Sequence, residues 1–354
     1  MGVPFLAADW LGRPTVSLVL RVASFYNSWV FCIRERTVSV KKTTTLALPL
    51  LGAAATALLA SEHLFNFAFK RVNYVPETSA DKQKYADAYY AYVDWFKAIP
   101  KTTWYLHEHD PRNRMVATYI PAATTSERTV IIAHGYKGNG ETMANFAKMY
   151  HELGFNVLLP DDRGHGESAG KYISFGWLDR LDYQQWIQQV IDRTSPRVQI
   201  LLFGVSMGGA TMEMLSGETL PAQVKAIIAD CGYSSVEAEL VYLLKRWYHL
   251  PKYPIEPLVS TISKRRLGYY LNDVTSIDQL KKNRRPILFI HGEKDVYVPV
   301  GMAYENYAAT PAAKQLWIVK NATHAESFWI NPTRYRAHVL DFLRTYFDPE
   351  LPAE

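Results

Sequence analysis

Val198-Gln199-Ile200-Leu201-Leu202-Phe203, followed by Gly204-Val205-Ser206-Met207-Gly208, is the stretch that decides the fold. An apolar run gives way to G-x-S-x-G and then to the small residues Gly209-Ala210-Thr211. This is a buried strand, a sharp turn and the start of a helix, the pattern of a nucleophile elbow. Side chains at the flanking glycines would collide with the neighbouring strand and helix. The turn lifts Ser206 above the sheet edge, at a helix N-terminus whose free N–H groups favour developing negative charge.

Around this stretch the chain alternates strand and helix. Apolar runs at Thr129–Ala133, Asn156–Pro160, Gln199–Phe203, Val224–Ala229, Pro286–Ile290 and Gln315–Val319 read as strands covered on both faces. Helical patterns separate most of them, notably Gly140–Leu153 and Trp177–Arg193. The expected architecture is an α/β fold with a mostly parallel, doubly wound sheet. Thr103–Glu108 and Met115–Ile120 read as a hairpin that adds an antiparallel edge.

In such sheets the site lies beyond the carboxyl ends of the strands. Five segments stand there. His134-Gly135-Tyr136-Lys137-Gly138-Asn139-Gly140 can turn backbone N–H groups toward the serine. With the amide of Met207, that of Tyr136 is the candidate oxyanion hole, because an acyl-transfer oxyanion needs two such donors. His134 reads as a structural hydrogen-bonder beneath this loop. Asp161-Asp162-Arg163-Gly164-His165-Gly166-Glu167-Ser168 reads as a turn pinned by local hydrogen bonds and ion pairs. His165 is a poor rival base because it precedes the serine. Asp230 ends the sixth strand. The last two segments hold Asp295, in His291-Gly292-Glu293-Lys294-Asp295-Val296-Tyr297-Val298-Pro299, and His324, in Asn321-Ala322-Thr323-His324-Ala325-Glu326-Ser327.

Ser206, Asp295 and His324 suit nucleophilic catalysis. A serine hydroxyl is a weak nucleophile until a neutral imidazole takes its proton, and a carboxylate fixes the imidazole's tautomer. Asp230 and Glu293 are alternative acids.

The N-terminal part has its own pattern. Lys41-Lys42 precedes Thr43-Thr44-Thr45 and the uncharged run Leu46–Ala60. That length approaches the roughly 18–20 residues needed to span a bilayer. An uncleaved signal-anchor over residues 40–62 is expected, with the basic side in the cytoplasm and the rest outside. The protein is then a single-pass cell-membrane protein with an extracellular catalytic domain. Residues 1–39 fit this plan badly, and a GTG start codon at Val40 would make them an upstream translation artefact. Residues 63–102 are expected to hold a linker, Phe65–Tyr74, and an aromatic amphipathic helix, Ala80–Ile99. The α/β domain is then 103–354.

The chain has 354 residues, 48% hydrophobic and 21% charged, which is globular composition. The net charge of +5 comes with no nucleic-acid motif. The two cysteines, Cys32 and Cys231, provide no disulfide framework and no metal spacing. Neither a cofactor nor a metal is expected.

These motifs resemble the α/β-hydrolase superfamily: H-G at 134–135, D-x-R-G-H-G-x-S at 161–168, G-x-S-x-G at 204–208, H-G-x-x-D-x-x-V-P at 291–299 and the late His324. Ser, Asp, His is that superfamily's chain order. The nearest likeness is to bacterial membrane-anchored cell-surface hydrolases, near the esterase and serine-aminopeptidase-like branches. The resemblance implies a cofactor-free serine hydrolase working through an acyl-enzyme. It leaves the substrate open, because one fold hosts many chemistries. An insertion at about 232–285 corresponds to the family's cap. Its helical patterns, Val236–His249 and Leu258–Leu271, are rich in Leu and aromatics and suit an ester with an apolar acyl group. Peptidase or acyltransferase chemistry is the alternative on the same triad, and a non-catalytic envelope module is a further one.

Overall fold

The computed structural model describes residues 42–72 and 83–351. Eight strands form one sheet: β1 (Thr102–Leu106), β2 (Met115–Ile120), β3 (Arg128–Ala133), β4 (Asn156–Pro160), β5 (Gln199–Val205), β6 (Val224–Asp230), β7 (Ile287–Gly292) and β8 (Lys314–Val319). Their order is β1-β2-β4-β3-β5-β6-β7-β8. The β1–β2 and β2–β4 pairs are antiparallel and the remaining pairs are parallel. This is the α/β-hydrolase fold with a mostly parallel eight-stranded sheet.

The helices are α1 (Lys42–Phe69), α2 (Gln83–Ala98), α3 (Ala144–Glu152), α4 (Asp179–Arg193), α5 (Met207–Leu215), α6 (Val236–Tyr248), α7 (Ile255–Leu267), α8 (Ser276–Leu280), α9 (Val300–Ala309), α10 (Ser327–Ile330) and α11 (Pro332–Tyr346). Strand residues alternate between two buried clusters, as double coverage requires. Val130, Ile132, Leu201 and Phe203 pack with Phe146, Tyr150, Tyr335 and Phe342 on one face. Ile131, Ala133, Ile200 and Leu202 pack with Tyr183, Trp186 and Ile187 on the other.

Two compact units divide the chain. Lys70–Val236 with Val274–Glu354 carries the whole sheet and every candidate catalytic residue. The other unit joins the chain up to Phe69 with Glu237–Asp273. Within it α1 lies along α7. Ser61 Oγ donates to Ile255 O at 3.5 Å, and Arg266 donates to Glu62 at 2.5 Å and to Asn66 at 3.2 Å. Phe65 and Phe69 are buried and stack 4.5 Å apart, with the Arg266 guanidinium over the Phe65 ring.

This differs from the sequence reading. The helix does not stop at residue 62, and 63–69, expected in a linker, continue it. Glu62 and Asn66, which interrupt the apolar pattern, are held by Arg266. Among the described residues no helix is long and apolar enough to cross a membrane. Residues 1–39 and the start of the expected anchor lie outside the described residues.

Candidate active site

The elbow depends on two glycines. A Cβ on Gly204 would lie 2.2 Å from the Gly208 carbonyl oxygen, and one on Gly208 would lie 2.2 Å from that of Ala133. Only bare backbone permits strand β3, strand β5 and helix α5 to approach so closely. Ser206 adopts φ 58°, ψ −118°, a strained conformation for a residue with a side chain. The Ser206 amide donates to Asp230 O at 2.8 Å, which fixes the turn against the end of β6.

Three side chains converge above the strand ends. Ser206 Oγ is 2.8 Å from His324 Nε2. His324 Nδ1 is 2.7 Å from Asp295 Oδ2. The other oxygen of Asp295 accepts from the amides of Tyr297 at 2.8 Å and Val298 at 2.9 Å. Asp295 is therefore acceptor-only at every contact. Nδ1 must then carry the imidazole proton, and Nε2 offers its lone pair to the serine hydroxyl. Burial would raise the Asp295 carboxyl, but the adjacent His324 and His291 outweigh it and hold it far below the usual carboxylate range. Tyr297 covers the imidazole, its ring centroid 4.9 Å from that of His324.

Asp230, the rival acid, faces elsewhere. It accepts from Tyr335 OH at 3.0 Å and Ser327 Oγ at 3.3 Å. Burial pushes its carboxyl up to about 6, opposed mainly by the Tyr335 hydrogen bond. Glu293 accepts from the Asn321 amide at 3.0 Å and braces the loop before His324.

The 134–140 loop lies against the elbow. A Cβ on Gly135 would sit 3.6 Å from Ser206 Cβ. Tyr136 follows directly and stacks its ring on Phe175, centroids 5.4 Å apart. Met207 opens α5, so its amide is one of the N–H groups without an intrahelical acceptor. Two buried histidines staple this loop from below. His134 Nε2 accepts from the Asp162 amide at 3.0 Å, and His165 Nε2 accepts from the Lys137 amide at 3.0 Å. Their Nδ1 atoms pair with the carbonyls of Gly135 and Arg163. Burial lowers both imidazole pKa values, so both rings stay neutral scaffolding. Asp162 accepts from Tyr183 OH, and Arg163 grips Asp182 through two hydrogen bonds of 2.6 and 2.7 Å. The 161–168 segment is thus a pinned turn.

Cys231, Asp295 and His324 bring a thiol, a carboxylate and an imidazole within 4.8 Å of one another, donors of metal-binding type. Asp295 and His324 already bond each other, and burial pushes the Cys231 thiol up. A metal would have to break the Asp295–His324 link and displace the thiol proton. Sequence reasoning also passed over His291, whose Nε2 lies 2.9 Å from Val298 O and 3.4 Å from Asp295 Oδ2. Its place beside the acid in the H-G-x-x-D stretch was the available signal.

The family model for serine aminopeptidase, S33, matches residues 124–252. YqkD of Bacillus subtilis, described as uncharacterised, is 29% identical over 296 residues, covering 83% of this chain and 95% of its own. Among solved structures, the Pyrococcus furiosus esterase Pf2001 superposes with a TM-score of 0.57 at 21% identity, covering 78% of this chain and 99% of its own. An acylaminoacyl peptidase of Pyrococcus horikoshii gives 0.54 at 17% identity, over 73% of this chain and 44% of its own. The matched segment lies within the sheet-bearing part of the chain, and the superposed structures share its α/β-hydrolase fold.

Proposed function

We propose that the protein is a serine hydrolase that cleaves carboxylic esters with an apolar acyl group through an acyl-enzyme. The reading rests on one observation: the hydrogen-bond line from Ser206 Oγ through His324 to Asp295, at 2.8 and 2.7 Å. His324 Nε2 takes the hydroxyl proton as Oγ attacks the ester carbonyl carbon. The resulting oxyanion is met by the amides of Tyr136 and Met207, donors that need no reorganisation. The imidazolium returns its proton to the departing alkoxide as the C–O bond breaks. A water then loses a proton to His324 and adds to the acyl carbon. The carboxylic acid departs and Oγ recovers its proton. Asp295 stays ionised throughout and stabilises the imidazolium.

The deciding experiment sets p-nitrophenyl esters against aminoacyl anilides. Ester turnover lost in S206A, together with fluorophosphonate labelling lost in the same variant, is the expected result. Undiminished hydrolysis by S206A would overturn the mechanism. Anilide turnover exceeding ester turnover would favour the peptidase alternative, which the S33 match supports.

Membrane attachment through residues 40–62, with the catalytic domain outside, belongs to the same proposal. Its support is Lys41-Lys42 ahead of the uncharged Leu46–Ala60. Protein made from residue 40 should fractionate with membranes, and protease added to intact cells should reach the domain. Recovery of that protein in the soluble fraction would remove this part.

A further inference from the structure

His324 sits on a four-residue stretch, 323–326, closed by a long backbone hydrogen bond from the Glu326 amide to Thr323 O at 3.3 Å. Ala325 adopts φ 55°, left-handed for a residue with a Cβ. Asn321, two residues before the loop, does the same at φ 64°. Something must hold this backbone, and Glu326 does so from both sides. Its Oε2 accepts from the amide and the hydroxyl of Thr323, each at 2.9 Å, closing the loop across His324. Its Oε1 accepts from Tyr85 OH at 2.9 Å and Lys84 Nζ at 3.1 Å, both on α2. The side chain of Glu326 is 10% exposed and that of Lys84 is 62% exposed, so Tyr85 carries most of the second arm.

Helix α2 is seated firmly enough to act as an anchor for that arm. Tyr85, Tyr89 and Tyr92 pack on Trp329, and Tyr92 packs on Phe328, with centroids 5.8 to 6.3 Å apart. Val93 and Phe96 are buried in the core cluster. The aromatic stripe of α2 therefore grips the residues that follow His324, and the Glu326 carboxylate ties the residues around it.

We propose that Glu326 is a positioning residue for His324, and that α2 is a working part of the catalytic domain that sets the imidazole through the Tyr85–Glu326–Thr323 chain. This builds on the proposed serine-hydrolase reading. Burial would raise the Glu326 carboxyl, but the Thr323 and Tyr85 hydrogen bonds outweigh it and hold the group in its acceptor form. With the brace gone, the strained loop relaxes and Nε2 drifts from Oγ. A misplacement near 1 Å costs about 100-fold in rate.

The test compares E326A, E326Q and Y85F in the full-length protein. E326A should lower kcat by about 10- to 100-fold with KM little changed, since only the base moves. E326Q keeps an acceptor for the Thr323 amide and a donor for the Tyr85 oxygen, so it should recover most of the loss. Y85F removes the Tyr85 bond of the α2 arm and leaves that of Lys84, so it should fall between E326A and wild type. The Nδ1–H proton of His324, seen by NMR as a far-downfield resonance, should broaden in E326A and Y85F and stay sharp in E326Q. This resonance reports loop order without turnover, so it separates failure of the brace from failure of the hydrolase assignment. The inference is overturned if Y85F and E326A retain wild-type kcat and a sharp resonance. It is also overturned if E326Q loses as much as E326A.

Discussion

Asp295→Asn is the perturbation whose outcome the geometry constrains most tightly. Oδ1 of Asp295 faces two backbone donors, the amides of Tyr297 and Val298. An asparagine must keep its carbonyl oxygen there, because its amide nitrogen would meet two N–H groups head on. The NH2 group is then turned toward His324 Nδ1, where a donor already points. The imidazole can satisfy it only by moving its proton to Nε2, and Nε2 then donates toward Ser206 Oγ instead of accepting from it. The base is lost while the shape survives. A wrong tautomer of this kind costs up to ~10⁴-fold in kcat, or about 5.4 kcal/mol of barrier. Asp230→Asn keeps an oxygen for Tyr335 OH and removes a carboxyl that burial already pushes up to about 6. Its kcat should stay within about tenfold of wild type, since it leaves His324 untouched. The assay is steady-state turnover of a p-nitrophenyl ester, with near-UV circular dichroism to verify the fold. A well-folded D230N that is dead beside an active D295N would refute the assignment.

Gly208→Ala places a methyl against the Ala133 carbonyl. It should destabilise by about 1–3 kcal/mol or more in urea titration, as overpacking does; unchanged stability would mean that the elbow is looser than the contact implies. Glu213 is buried on α5 and accepts from Asn306 Nδ2 at 2.9 Å, and burial pushes its carboxyl up to about 8 from 4.5. The folded state therefore holds a proton that the unfolded state releases between those values, and stability should fall with rising pH across that window. The slope approaches about 1.4 kcal/mol per pH unit for one group. E213Q should flatten it, as read by urea midpoints at pH 5, 7 and 9; an unchanged slope would rule Glu213 out as its source. Phe203→Ala empties a fully buried position between Phe146 and Tyr150. It should cost about 3–5 kcal/mol, measured by the same titration, and a loss under 1 kcal/mol would contradict the packing.

The sheet and elbow were legible because their signals are local. Apolar runs ended at glycines and at residues that carry chemistry, and the strand bounds fell within a residue or two of those expected. β5 and β6 run on to Val205 and Asp230. The choice between Asp230 and Asp295 was not local. Both follow strands, and what commits Asp230 is Tyr335, 105 positions further along the chain. The end of α1 was hidden for the same reason. Glu62 and Asn66 look like breaks in an apolar helix until Arg266, 204 positions beyond Glu62, is brought beside them. Glu326 read as an ordinary loop residue because its partners on α2 lie some 240 positions upstream.

The packing of α1 on α7 also governs where the chain can be cut. A recombinant fragment beginning at Lys70 would look reasonable from the sheet alone, since every strand and each of Ser206, Asp295 and His324 lies beyond it. That cut removes Phe65 and Phe69 along with Glu62 and Asn66, two acceptors of Arg266, and exposes the α7 surface they cover. Newly exposed surface of this sort promotes self-association. A start near Thr56 keeps Ser61, Glu62, Phe65, Asn66 and Phe69 while discarding most of the uncharged run. Solubility and monodispersity of these two fragments should therefore differ sharply, although they share an identical set of candidate catalytic residues.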